Sequence, residues 1–402
     1  MERNRQKSAS CHFDYGEQGE HPRIVTVFHQ SRLRVVTTVS HGAMVPDMTT
    51  NGGFQPVFCT IVPPHVLDKL AQAEDPALSG PARRSLEHDA YQRTRRSLTT
   101  VLGVPAVTPP AGAADQPHRT IYDAHHAQDL PGTQVRTEGA EPVSDATVNR
   151  AYAGLGATFE LYLTAYGRHS IDDDGLPLDA TVHFGEGYDN AFWNGEQMVF
   201  GDGDGEIFLD FTIPVDVIGH ELTHGVTQHT ANLEYYGQSG ALNESVSDVF
   251  GSLIKQYTLG QTATEADWLI GAGLLAPRVT GTALRSMKAP GTAYDDSTLG
   301  KDPQPARMED YVHTNRDNGG VHINSGIPNH AFYLVAAALG GRAWERAGQI
   351  WYDVLTGGDL ASDALFADFA TLTVQVARER YGAGDELQAV QKAWEQVGVR
   401  TL

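Results

Sequence analysis

Residues 217–226 read VIGHELTHGV and place two histidines four positions apart, with a glutamate directly after the first. The surrounding apolar residues recur at the three- and four-residue steps of an amphipathic helix: Val215, Ile218, Leu222 and Val226. His220 and His224 would then lie on one helix face, about one turn apart, where both can bind a single Zn²⁺ ion. Glu221 points away from that geometry but can reach a water on the metal and act as general base.

A second stretch decides between a zinc site and an ordinary helix that carries two histidines. Residues 241–253 read ALNESVSDVFGSL, and Glu244 and Asp248 share one face of the predicted helix. Glu244 would complete a set of two histidines and one glutamate, which leaves a fourth position for water or substrate. Asp248 would accept the free ring N–H of a ligating histidine. The alternative is an acidic helix surface, but two like charges at this spacing repel unless a cation lies nearby.

A third stretch offers donors for the oxyanion that forms when an amide is attacked. Residues 317–326 read DNGGVHINSG and contain His322 in a glycine-rich turn, with Asp317 five positions before it to orient or charge the ring. Tyr235, between the two predicted ligand helices, is a second candidate donor. Beside a zinc site these side chains indicate peptide-bond hydrolysis.

The bulk composition excludes several classes of protein. The chain has 402 residues and a net charge of −21, which argues against nucleic-acid binding because phosphates recruit Lys and Arg. Only two cysteines are present, Cys11 and Cys59, so a disulfide scaffold is excluded. No apolar segment approaches the roughly 18 residues of a membrane span. We therefore expect a protein that binds neither nucleic acid nor membrane and works as a monomer.

The order of predicted elements indicates an α+β fold, with strands in the first half of the main body and helices later. Residues 1–53 show no clear period and no apolar secretory signal, so they form an N-terminal extension, and translation starting near Met44 or Met48 is an alternative. Residues 54–117 form a small helical unit that ends in a linker rich in Pro, Ala and Gly. From Pro214 onward the apolar spacing is mostly that of helices, up to the end of the chain.

These stretches, in this order, resemble the thermolysin family of zinc endopeptidases. HELTH, NESVSD and DNGGVHINSG are joined upstream by DNAFWNGEQMVFGDGDG, and the similarity extends from about Arg119 to the C-terminus. The resemblance implies a cleft between a β-rich subdomain, residues 118–229, and a mainly helical subdomain, residues 230–402. The short unit that contains Pro63 and Pro64 resembles the compact propeptide of the protealysin branch, which blocks the cleft in a zymogen.

The resemblance also implies a role for each matched residue. The zinc ligands would be His220, His224 and Glu244. The catalytic groups would be Glu221, which activates water, His322 and Tyr235, which stabilise the oxyanion, and Asp317, which orients His322. The substrate-binding residues would be Asn190, Ala191, Arg285, Val217 and Leu284. The last two line an apolar pocket, which implies cleavage on the amino side of Leu, Phe, Ile or Val.

The chain departs from the family at the double calcium site behind the active-site helix. Asp216 and Asp267 match two of the expected carboxylates, but Lys255 stands where a glutamate is expected. Two further ligand positions carry apolar residues, Leu269 and Ala272. Since Ca²⁺ takes six to eight oxygen ligands, we expect the Lys255 ammonium to replace the ion by pairing with both aspartates. Other calcium sites remain open in the acidic loops IDDDGLP and FGDGDG.

The leading hypothesis is therefore a zinc endopeptidase made as a zymogen, with its propeptide as intramolecular inhibitor. One alternative is a zinc-stabilised binding module that has lost catalysis, which predicts loss of Glu221 or His322, and both are present. Another is an exopeptidase, for which no motif that captures an amino group is found. Cys59 could cap the zinc, although a buried thiol is the commoner fate of a lone cysteine. Family similarity predicts secretion, whereas the missing signal sequence favours the cytoplasm.

Overall fold

The computed structural model describes residues 59–102 and 115–401, without the side chains of residues 93 and 95–102. The N-terminal extension predicted for residues 1–53 and most of the predicted linker lie outside the described residues. The described chain begins with two helices, α1 at Pro64–Leu70 and α2 at Pro76–Leu102. Helix α1 begins at proline, which has the fixed φ that a first helical position needs.

A mixed sheet of five strands forms the first half of the main body. The strands are β1 Arg119–Asp123, β2 Thr133–Thr137, β3 Leu178–Val182, β4 Ala191–Trp193 and β5 Met198–Phe200. Their order is β2-β1-β3-β5-β4, with β1, β3 and β5 parallel and the outer strands antiparallel to their neighbours. Strand β4 is therefore at the edge of the sheet, where its free backbone groups can pair with another segment.

Helix α3, Ala146–Tyr166, connects the sheet to the helical half of the molecule. Its first turn is capped by Asp145, whose carboxylate accepts hydrogen bonds from the backbone N–H groups of Thr147 and Val148. It ends at Gly167, whose φ of 67° is in the left-handed region that glycine adopts without strain. The helix contacts β1 and β3 of the sheet and also helix α4, Val215–Gln228, of the helical half.

The second half is mainly helical and confirms the predicted α+β class. Its helices are α4 Val215–Gln228, α5 Gly237–Leu259, α6 Asp317–Asn324, α7 Gly326–Leu339, α8 Ala347–Thr356, α9 Phe366–Tyr381 and α10 Asp385–Gln396. Helices α4 and α5 correspond to the two predicted ligand helices. In the described part of the chain, none of the helices combines the length and apolarity needed to cross a bilayer.

The mostly helical region predicted from Pro214 to the end is interrupted at residues 260–316. That region contains four two-residue strands and one turn of 3₁₀ helix: β6 Leu269–Ile270, β7 Arg285–Ser286, β8 Asp295–Asp296, β9 Gly300–Lys301 and Met308–Asp310. Gly271, Gly273 and Gly291 have positive φ values of 73°, 87° and 85°, which right-handed helices do not accommodate. Frequent glycine therefore overrides the apolar spacing on which the helical prediction rested.

A histidine held between two carboxylates should make the stability of the first, sheet-containing half depend on pH. His183 Nε2 lies 2.9 Å from Asp145 Oδ2, and Nδ1 lies 2.8 Å from Asp202 Oδ1. The bond to Asp202, together with that to Asp145, raises the pKa of His183 to about 9. Because the folded pKa exceeds the unfolded value of about 6.5, this contribution is full below that pH and is lost as pH rises through 9.

We expect His183→Gln to lower the free energy of unfolding by roughly 1–2 kcal/mol at pH 6, a value reduced for solvent screening of partly exposed groups. The loss should be smaller at pH 9.5, above the pKa of about 9, where most of the wild-type rings are neutral as well. Urea unfolding of the wild-type and His183→Gln chains at pH 6 and pH 9.5 measures the difference in the free energy of unfolding. An equal loss at both would show that the charge contributes nothing.

Candidate metal centre and active-site cleft

Two glycines allow helices α4 and α5 to cross closely. A Cβ atom on Gly219 would lie 2.5 Å from Ile254 Cδ1, and one on Gly251 would lie 2.5 Å from the backbone oxygen of Asp216. Side chains at these positions would push the helices apart, since neighbouring carbon atoms pack at about 3.5–4.0 Å. The close crossing brings the polar side chains of the two helices together in the interior.

Four buried side chains converge at this crossing. The ligand atoms of Cys59, His220, His224 and Glu244 all lie within 4.8 Å of one another. The two histidine Nε2 atoms face each other at 3.0 Å, and each lies 3.6 Å from a carboxylate oxygen of Glu244. Within the described residues, Glu244 Oε2 is buried without a hydrogen-bond partner. Two imidazoles, a carboxylate and a thiol facing one point are the donor set that suits Zn²⁺.

The outer nitrogen of each histidine is held by a residue on α5. His220 Nδ1 lies 2.8 Å from Asp248 Oδ1, and His224 Nδ1 lies 2.8 Å from Asn243 Oδ1. These acceptors fix the tautomer in which Nδ1 carries the proton and Nε2 is free to bind a metal. Asp248 is itself held by Arg285, whose Nε donates to Oδ2 at 2.8 Å. Burial alone would raise the pKa of Asp248, but the Arg285 charge holds it below its usual range.

Glu221 lies beside the cluster with one oxygen free of hydrogen bonds. Oε2 accepts a 3.1 Å hydrogen bond from the backbone N–H of Trp193, whereas Oε1 is buried and has no partner within the described part of the chain. Burial raises the pKa of Glu221 well above its usual range, and the Glu244 carboxylate adds to the rise. A carboxylate in this setting is a strong proton acceptor, which is what a general base requires.

His322 faces the cluster from the opposite side. Its Nδ1 lies 2.6 Å from Asp317 Oδ1, and its backbone N–H donates to Asp317 Oδ2 at 3.0 Å. Burial opposes a charge on the ring, but the Glu244 and Asp317 carboxylates raise the pKa of His322 to about 9. The ring is therefore protonated at neutral pH. Tyr235 donates its hydroxyl proton to Glu244 and lies 3.3 Å from His322 Nε2.

The turn before His322 explains why its sequence is rich in glycine. Asn318, Gly319 and Gly320 have φ values of 47°, 84° and 80°, all in the left-handed region. A Cβ on Gly319 would also lie 3.0 Å from the backbone nitrogen of Gly237 at the start of α5. Two glycines therefore let Asp317 fold back onto the ring that it orients.

The segment just before α1 lies along the edge strand β4. Ile61 donates its backbone N–H to the Ala191 oxygen at 3.2 Å, and Val62 donates to Asn190 Oδ1 at 2.9 Å. Arg285 Nη1 donates to the Ile61 oxygen at 3.1 Å. The residues that the resemblance assigns to substrate backbone therefore contact the chain's own N-terminal segment. The predicted pocket residues Val217 and Leu284 are buried in the same apolar cluster as Ile61.

Helix α2 also contacts this side of the cleft. Asp89 is buried and accepts hydrogen bonds from the Tyr188 hydroxyl at 2.5 Å and from Asn190 Nδ2 at 3.1 Å. Ser85 Oγ accepts a hydrogen bond from the backbone N–H of Asp189 at 2.8 Å. Helix α2 therefore holds residues 188–190, which directly precede β4.

The structure corrects the interpretation of Cys59. The sequence favours a simple buried thiol at this position, and the side chain is only 3% exposed. However, its Sγ donates to Glu244 Oε1 at 2.8 Å and lies 3.7 Å from His322 Nε2. Burial raises the pKa of the thiol well above its usual value, and the Glu244 carboxylate adds to the rise. The sequence could not reveal this contact because 185 positions separate the two residues.

Lys255 joins the two carboxylates that it was predicted to join. Its Nζ lies 2.7 Å from Asp216 Oδ2 and 2.8 Å from Asp267 Oδ1, and it donates to the Leu269 carbonyl oxygen at 2.6 Å. Burial opposes the charge, but the Asp216 carboxylate more than compensates and raises the pKa of the ammonium. The Lys255 ammonium is therefore charged, and it pairs with Asp216 of α4.

Three residues of the centre were missed by the sequence analysis. Asn243 binds His224, Ser247 Oγ lies 3.1 Å from the same ring nitrogen, and Asn329 Nδ2 donates to Asp248 Oδ2 at 2.8 Å. Asn243 and Ser247 are four positions apart on α5, so helical spacing beside Glu244 was an available signal. Asn329 comes from α7 and carried no such signal.

Comparison with known proteins gives two family matches. The thermolysin metallopeptidase catalytic domain matches residues 112–228, and the thermolysin metallopeptidase alpha-helical domain matches residues 231–399. The chain is 52% identical over 345 residues to an extracellular metalloprotease of Pectobacterium carotovorum subsp. carotovorum, covering 85% of this chain and 96% of the relative. It is 47% identical over 348 residues to protease PrtS of a Photorhabdus species, covering 85% and 92%.

A solved structure is also similar. The precursor of protealysin, a metalloproteinase from Serratia proteamaculans, superposes with a TM-score of 0.76 at 52% identity. The match covers 85% of this chain and 99% of that one. The similar structure is therefore a precursor form, and the similarity covers more of the chain than the two matched family domains together.

Proposed function

The chain belongs to the thermolysin metallopeptidase family and is a metalloendopeptidase; from this premise we propose that it uses one zinc ion and cleaves on the amino side of bulky hydrophobic residues. The observation that carries the proposal is the convergence of His220, His224 and Glu244 beside Glu221. We further propose that residues 54–117 are propeptide and linker, with catalytic subdomains at 118–229 and 230–402.

The zinc ion, held by His220, His224 and Glu244, would supply Lewis-acid activation of water and of the substrate carbonyl. Glu221 takes the proton of the attacking water on its free oxygen and passes it to the leaving amine. His322, protonated and aligned by Asp317, donates to the developing oxyanion, and Tyr235 supplies a second donor.

Substrate would lie along β4 as an added strand, as the N-terminal segment does. Asn190 and Ala191 hydrogen-bond its backbone, and Arg285 holds the carbonyl of the residue beyond the cut. Val217 and Leu284 support an apolar pocket for the side chain of that residue. Both are buried and apolar, which favours Leu, Phe, Ile or Val over polar residues.

We propose that the described chain is the zymogen, in which the N-terminal segment and α2 block the cleft. The support is that Cys59 enters the metal cluster, Ile61 and Val62 use the substrate-binding groups, and Asp89 binds Asn190. Relatives named as extracellular proteases favour secretion over a cytoplasmic location. Its partners would be peptide and protein substrates, and we propose a monomer that binds neither nucleic acid nor membrane.

We propose that Lys255 takes the place of calcium at the site behind α4. Its ammonium already contacts two carboxylates and one carbonyl, which are the kinds of oxygen that Ca²⁺ binds. With a fixed positive charge among those oxygens, a second cation there would meet repulsion.

Metal analysis tests the proposed zinc ligand set. Glu244→Ala should lower zinc affinity by more than the roughly 10–100-fold that loss of a supporting contact causes, because it removes a ligand. Zinc per chain after dialysis against a graded chelator measures this, with peptide hydrolysis as a second readout. The control is Glu234→Ala, an exposed glutamate on the connection between α4 and α5, and this variant should keep its zinc. Equal zinc content in the two variants would contradict the assignment.

A further inference from the structure

We propose that the Thr60–Ile61 peptide bond of the propeptide is a latent cleavage site of this enzyme. The inference rests on the proposed function and concerns a substrate within the chain. It follows from the register of residues 59–62 in the cleft. These residues not only block the cleft but also contact its donors and acceptors in the order proposed for a substrate.

Three backbone contacts set that register. The Thr60 carbonyl oxygen lies 3.2 Å from His322 Nε2, the donor proposed for the carbonyl of the bond that is cut. The next carbonyl, that of Ile61, accepts from Arg285 at 3.1 Å, the group proposed to hold the residue beyond the cut. Between them, the Ile61 N–H is bonded to the edge strand at the Ala191 oxygen.

The following residue continues the same pattern. Val62 N–H donates to Asn190 Oδ1 at 2.9 Å, and its carbonyl oxygen lies 3.5 Å from Asn190 Nδ2. The chain therefore runs in one direction past the donors, with Thr60 before the bond and Ile61 after it. A segment in the opposite direction could not give these contacts in this order.

The side chains also meet the proposed specificity. Ile61 is fully buried in the hydrophobic core, so an aliphatic β-branched side chain stands at the position after the bond, which is one of the residue types proposed there. Hydrolysis would form a bond from the water oxygen to the Thr60 carbonyl carbon and break the Thr60–Ile61 C–N bond. One water proton would pass through Glu221 to the Ile61 nitrogen.

The thiol of Cys59 explains why the bond persists in the zymogen. Its sulfur lies with the ligand atoms of His220, His224 and Glu244, within the same 4.8 Å. No water can enter the space that the sulfur fills. Without the thiol, the remaining backbone contacts still present the Thr60 carbonyl to His322, and the inhibitor becomes a substrate.

The test uses the full chain with Cys59→Ala, purified with zinc and examined by mass spectrometry of its N-termini. We expect a new N-terminus at Ile61, reading IVPPHVL, and its complete loss in Cys59→Ala with Glu221→Gln. Wild type should not show this N-terminus while the thiol remains in the cluster. Casein hydrolysis by the same Cys59→Ala preparation reports the proposed function separately.

Hydrogen exchange of the zinc-free Cys59→Ala, Glu221→Gln chain tests the register without catalysis. The amides of Ile61 and Val62 should be protected, and Asn190→Ala should remove the protection of Val62. An unprotected segment would overturn the proposal, because backbone contacts alone should hold it. Casein hydrolysis without cleavage at Thr60–Ile61 would also overturn it and leave the proposed function standing. Loss of both activities would refute the proposed function instead.

Discussion

A Glu221→Gln chain should lose hydrolysis of casein and of a blocked hydrophobic dipeptide by more than the roughly 10²–10⁴-fold typical of a general base. The loss exceeds that range because the same carboxylate takes a proton from water and delivers it to the leaving amine. Glutamine keeps the size of the side chain and can still accept from the backbone N–H of Trp193. Steady-state kinetics measure the loss as kcat after an added protease has cut the linker of both chains, with zinc content measured alongside.

The matched control is Glu160→Gln, a change of the same kind at an exposed position on α3. It should keep wild-type activity. The Glu221→Gln chain should also keep its zinc and its melting temperature. Activity within tenfold of wild type would mean that Glu221 is not the base. An intact linker in this variant, cut in wild type, would indicate that the enzyme processes itself.

Lys255→Met should lower the free energy of unfolding by about 3–5 kcal/mol, the cost of leaving a buried carboxylate without its partner. Asp216 is fully buried, and among the described residues the remaining hydrogen bond is the 3.2 Å one from the Gly271 N–H to its other oxygen. Asp267 is half exposed, so water can solvate it and it contributes less. Urea unfolding with and without added calcium measures the effect.

Two further variants separate charge burial from loss of packing. Lys255→Met with Asp216→Asn should recover much of the stability, because the unpaired charge is gone. Lys392→Met removes an exposed lysine and should change stability by less than about 0.5 kcal/mol. If Lys255→Met were as mild as Lys392→Met, the lysine would not be replacing an ion. Stabilisation of wild type by calcium at this site would contradict the idea as well.

The helix periodicity and the polar motifs predicted helices α4 and α5 and the side chains that meet between them, because both signals are local. His220 and His224 share a face through helical spacing alone, and the same spacing relates Glu244 to Asp248. The α+β class followed from the order of strands and helices. Each of these predictions needs only residues that are near one another in the sequence.

What could not be predicted depends on contacts between distant parts of the chain. Nothing local to Cys59 indicates that its sulfur reaches Glu244, and nothing near Asp89 indicates Asn190. The close crossing at Gly219 and Gly251 could not be predicted either, because glycine within a helix has several possible causes. These features depend on how elements pack, which periodicity does not encode.

The ammonium behind α4 has a consequence for where this protein can fold. A bound ion stabilises a protein by an amount that grows with the free concentration of the ion, so dilute or chelating surroundings weaken it. Lys255 is part of the chain, and its local concentration at Asp216 does not depend on the medium. The rear of the active-site helix should therefore stay intact where free calcium is scarce. A chelator should then remove the catalytic metal and leave a folded protein that regains activity when zinc returns.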